Sequence, residues 1–92
     1  MLGFLREWRA RRRLRQRRIR VDAQRLSASN PKDAYYEAHR HFAKARSAGD
    51  PAAMLHWASV AAEVARIEPR AEMDFGVVLA IDDAEKQAHT RL

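Results

Sequence analysis

The chain has 92 residues, enough for one domain with a modest core, and carries 18 Lys+Arg against 12 Asp+Glu for a formal net charge of +6. The absence of cysteine excludes disulfides and thiolate metal sites, and three Gly with three Pro are too few for a turn-rich β fold. The longest uncharged apolar run, FGVVLAI at 75–81, would span only about 10 Å as a helix against the ~30 Å of a bilayer core, which excludes a membrane-crossing helix there.

The first element is basic. Residues 9–20 read RARRRLRQRRIR, eight arginines in twelve residues with no acid among them. Residues 1–32 hold eleven Lys/Arg against two acids, residues 33–62 three against three, and residues 63–92 four against seven. This asymmetry is that of a basic arm beside a neutral-to-acidic body. Arg outnumbers Lys fifteen to three throughout, so the clustering carries more information than the choice of Arg. The opening MLGFLREWRARRR has no apolar stretch of signal-peptide length. It is Arg-rich and amphipathic as organellar presequences are, but we expect it to be retained in a cytoplasmic protein, with membrane-surface association as an alternative.

Nothing breaks a helix between about residues 3 and 27, and Arg is a good helix former. Leu5, Trp8, Arg12, Arg15, Ile19, Asp22 and Leu26 fall at alternating three- and four-residue steps, forming one seam. That seam is apolar at both ends and cationic in the middle. Ala10, Leu14 and Val21 lie on roughly the opposite side, so the arginines surround the helix. At about 37 Å the helix should exceed its neighbours, with the Met1–Arg13 end overhanging.

Asn30-Pro31-Lys32-Asp33 reads as a helix start, with Asn30 as N-cap, Pro31 at N1 and Asp33 at N3. The helix that follows, about 31–48, carries Tyr35, Ala38, Phe42 and Ala45 on one stripe, so Tyr35 is expected in the core and Tyr36 partly exposed. Gly49 ends it, and Asp50-Pro51 starts the next helix at once, about 51–68. Met54, Trp57, Ala61 and Val64 share one face there, widened by Val60 and Ile67, and Pro69 ends the helix. Two helices of similar length across one tight connection make an antiparallel αα-hairpin. FGVVLAI has the β-branched content of a strand, but DDAEKQAHTRL continues it in helix formers, and a helix over about 72–90 is expected. The fold class is therefore all-α, a small helical bundle. Residues 1–29 supply the basic helix, 30–69 the hairpin and 70–92 an acidic C-terminal helix.

No phosphate loop, nucleophile elbow or zinc-protease motif occurs, so no enzyme, catalytic residue or cofactor is expected. No metal is expected either. His39 and His41 point apart on a helix, and Asp82, Glu85 and His89 lack the paired Glu-x-x-His motifs of a di-iron bundle.

Three partners suit the arginine run. Arg9, Arg11, Arg13, Arg17, Arg18 and Arg20 would hold nucleic-acid phosphates without strong sequence preference, because Trp8 is the only aromatic next to the run. Alternatively, the seam Leu5, Trp8, Arg12, Arg15, Ile19 and Leu26 docks on protein in a structural or adaptor subunit. Arg12 and Arg15 would then meet acids such as Asp74, Asp82, Asp83 and Glu85, in the same chain or a second copy. Finally, Leu2, Phe4, Leu5 and Trp8 form an apolar tip before the arginines, the composition of an anchor on anionic membrane. No small-molecule substrate is indicated.

Overall fold

Local chemistry sets the turn at the centre of the fold. In the computed structural model, which describes residues 2–90, the helices are α1 (Leu2–Ser29), α2 (Ala34–Ser47), α3 (Pro51–Ile67) and α4 (Phe75–Thr90). Between α2 and α3, Gly49 adopts φ +64°, the left-handed conformation that closes a helix. The Gly49 and Asp50 amides return to the carbonyls of Arg46 and Ala45, each at 3.0 Å, a complete Schellman motif. The Asp50 carboxylate then accepts from the Ala53 amide at 3.1 Å and Pro51 opens α3, so one helix ends and the next begins within three residues. Glu68 is extended before Pro69 and α3 stops there.

Two boundaries differ from the sequence reading. Residues 31–33 form a turn closed by the Asp33 amide on the Asn30 carbonyl at 3.2 Å, so α2 begins at Ala34, not at Pro31. Asp33 sits at the cap position, yet its carboxylate pairs with Arg40 and makes no capping bond. An ion pair seven residues along has taken the oxygen that a cap would use. Residues 75–81 are helical, and α4 starts at Phe75 because Asp74 caps it: the Gly76 amide donates to its carboxylate at 2.7 Å.

α2 is the middle layer, packed on α3 and on α4, while α1 lies across α3 and the start of α2. This explains a reversal between neighbouring tyrosines. Ala34, Ala38 and Ala45 face α3, and Tyr36 and Ala43 on the other side of α2 are also buried, whereas Tyr35 is half-buried. A helix with neighbours on two sides buries two stripes, and a single-stripe reading finds only one. Tyr36 also accepts the Asp74 amide on its hydroxyl at 2.8 Å, fixing the entry to α4. α4 is held along α2 by half-buried Val78 and Ile81 and by the Arg46–Asp82 ion pair, with no residue of its own fully buried.

The core joins the C-terminal part of α1 to the hairpin. Ala23, Ala34, Ala38 and Ala61 bring backbones close around Val60 and Val64, the largest fully buried side chains, with Ile19, Leu26 and Trp57 packed at the edge. Alanine packing places helices near one another but removes little apolar surface per residue. The molecule, arm included, is therefore thin, measuring 48 × 34 × 19 Å along its principal axes.

Candidate nucleic-acid interface

α1 is one uninterrupted helix with two environments. From Ile19 onward its seam docks on the body: Ile19 and Leu26 pack on the core and Ala23 is fully buried. Asp22, in the same seam, accepts from Arg25 at 2.6 Å and pairs with His56 Nε2 of α3 at 2.7 Å. Every residue from Gly3 to Arg18 is exposed. These sixteen residues form a free helical arm about 24 Å long.

The arm holds most of the sequence-predicted site. Arg9, Arg11, Arg13, Arg17 and Arg18 lie on it, and Arg20 is exposed just beyond it. None of the eight arginines from Arg9 to Arg20 has a carboxylate partner among the described residues. The seam is divided. Ile19 and Leu26 pack, whereas Leu5, Trp8, Arg12 and Arg15 continue the same stripe into solvent. Arg12 lies over the Trp8 ring at 5.5 Å, a cation–π contact within one helical turn.

The acids expected to meet Arg12 and Arg15 do not do so within this chain, because α1 and α4 do not touch: α2 and α3 separate them. Asp82 is taken by Arg46 and Lys86, and the bond from Arg46 holds its carboxyl below the usual range. The acids of α4 thus sit on the far side of the hairpin from the arm. That separation preserves the field of the arm. At physiological salt, screening acts over about 8 Å, less than the width of an intervening helix.

Of the apolar tip, Phe4 is 72% exposed and Leu5 and Trp8 are each 49% exposed. The side chain of Leu2 lies outside the described residues. The tip spans two turns and is followed by cations on every side. No helix among the described residues is long and apolar enough to cross a membrane.

One structural pair escaped the sequence reading. His56 joins α3 to α1 through Asp22, and the signal available was an acid interrupting an otherwise apolar stretch of seam. Beside this pair an open groove of about 810 Å³ runs between α1 and α3, lined in part by Val21, Leu55 and Trp57 with Arg15 and Arg18 above. Two further histidines serve packing: His41 stacks on Trp57 at 4.0 Å and His39 lies against Tyr35 at 4.6 Å. Burial lowers the pKa of both. Among the described residues no cluster of His, Asp or Glu is arranged to hold a metal ion. Compared with protein-family models, curated proteins and solved structures, the chain finds no match, so its functional reading rests on this geometry.

Proposed function

We propose that this protein is a non-enzymatic nucleic-acid-binding module whose arm, with Arg9, Arg11, Arg13, Arg17, Arg18 and Arg20, grips phosphates without strong sequence preference. One observation carries the reading: the arginines project from most of the circumference of an exposed helix, and among the described residues none from Arg9 to Arg20 makes an ion pair with a carboxylate. A membrane presents anions to one face of a helix, whereas a nucleic-acid groove presents them on two flanks. Encircling charge suits the groove. The test is binding of the full chain to unrelated nucleic-acid sequences at ~50 and ~200 mM salt. Six phosphate contacts predict a loss of about a thousandfold across that interval. A flat salt response, or no binding at low salt, refutes the proposal.

A second reading, docking of an acidic protein in a larger assembly, is favoured by the seam itself. Leu5, Trp8, Arg12 and Arg15 extend into solvent the stripe that packs further along α1. Under this reading Arg12→Glu with Arg15→Glu abolishes the complex and Arg11→Glu with Arg18→Glu spares it. Under the nucleic-acid reading the second pair is the damaging one.

A further inference from the structure

Resting on the nucleic-acid reading, we infer that the ligand is duplex DNA, with its major groove over the face of α1 marked by Ala10, Leu14 and Val21. At 3.6 residues per turn, Arg11 and Arg18 form one row along α1, and Arg13, Arg17 and Arg20 form another, about 140° away. Between the rows, on the narrower side, lie Gly3, Ala10, Leu14 and Val21. Leu14 is 57% exposed and Val21 54% exposed. This face is diametrically opposite the Ile19–Ala23–Leu26 side that meets the body. Over Ala10 and Leu14, on the exposed arm, a ligand meets no obstruction from α2 or α3, whereas Val21 also borders the groove between α1 and α3; α4 with its acids does not touch α1.

The arrangement has the cross-section of a helix in a groove: cations on both flanks for the two phosphate walls, small and apolar residues at the floor. A helix about 10–12 Å across fits the ≈12 Å major groove of B-DNA. The major groove of A-form RNA is too deep and narrow to admit it. Single strands are held by aromatic platforms, and the arm offers only Phe4 and Trp8, both toward the tip, with Trp8 covered by Arg12. The floor places no amide or guanidinium on base edges, which accounts for tolerance of sequence while allowing contact with thymine methyl groups. Glu7 borders the floor near the tip, where a carboxylate can accept from a cytosine amino group.

The test compares the full chain binding a 16-base-pair DNA duplex, one of its strands alone and the RNA duplex of the same sequence at ~50 mM salt. The DNA duplex is expected to bind at least tenfold tighter than either alternative. Its log–log salt slope should be about −4.5, from the five arginines of the two rows at roughly −0.9 each. Guanine N7 should be protected from methylation. Ala10→Trp, which fills the floor without altering charge, should weaken duplex binding at least tenfold with an unchanged melting temperature. Equal or tighter binding of the single strand or the RNA duplex overturns the DNA assignment and leaves the phosphate grip standing. Unprotected N7, or unchanged affinity in Ala10→Trp, overturns the major-groove placement. Failure of all three ligands to bind overturns both the inference and the reading beneath it.

Discussion

The two halves of α1 share a helix, a heptad seam and a helix-favouring composition, yet one half is structural and the other free. Residues 19–29 bury Ala23 and pack Ile19 and Leu26, and they supply Asp22 to His56. Residues 3–18 are all exposed. Helical propensity does not separate the halves; side-chain chemistry along one stripe does. Where the seam offers small and branched apolar residues it docks, and the single carboxylate in it finds a histidine. Where it offers Arg12 and Arg15, docking on an alanine-rich surface would strip water from two cations without a counter-charge, at a cost of several kcal/mol each. A helix can be rigid through its own hydrogen bonds and still gain nothing from its neighbours.

Substitutions can break this contrast at chosen points. The largest effect is expected from Val64→Asp, which places a carboxylate at a fully buried site and should cost about 4 kcal/mol or more, unfolding the body in a thermal melt. The same kind of change on the arm, Leu14→Asp, should shift stability by no more than about 0.5 kcal/mol. Next comes Asp22→Ala, which leaves His56 without its partner. A loss of about 1–3 kcal/mol is expected in denaturant titration, with faster amide exchange in residues 19–29 and no change in residues 3–18. Asp50→Ala removes the α3 cap and should cost about 1 kcal/mol without altering nucleic-acid affinity, because the arm does not depend on that turn.

The smallest effect is with pH. Burial holds His39 and His41 below their ordinary 6.5, so on acidification the unfolded chain takes up protons first. Their contribution to stability is complete above pH 6.5 and is lost as pH falls through the folded-state values. Asp82, held low by Arg46, adds a loss at lower pH, once pH falls below the range of an unpaired carboxyl. Melting temperature should be level from pH 8 to 7 and decline below 6.5, less steeply in His39→Gln. The nucleic-acid binding proposed for the arm should be unaffected over the same range, since arginine does not titrate there.

Much of the hairpin was legible because its signals are local. Gly49-Asp50-Pro51 specifies a helix end, a cap and a helix start through bonds spanning three to five residues. The Asn30 side chain does accept from the Asp33 amide, at 3.4 Å, but the role of Asp33 was misread for a complementary reason: it has an option seven residues away, in Arg40, that no four-residue motif reveals. The burial of Tyr36 over Tyr35 was not legible either, because it depends on α4 arriving on the second face of α2. The arginines were conspicuous in the sequence, but their partners were not. Pairing with the acidic C-terminal segment was chemically sensible, and the order of the layers prevents it.

The sequence by itself determined four helical segments, the tight hairpin turn and the segregation of positive charge into the first third of the chain. These follow from propensity, capping and composition, which act within a few residues. Only the tertiary structure decided that α2 lies in the middle, that the acids of α4 are kept from α1, and that the body releases the first helix at Ile19. Those outcomes depend on which surfaces exclude water together, a property of pairs of elements that lie far apart along the chain.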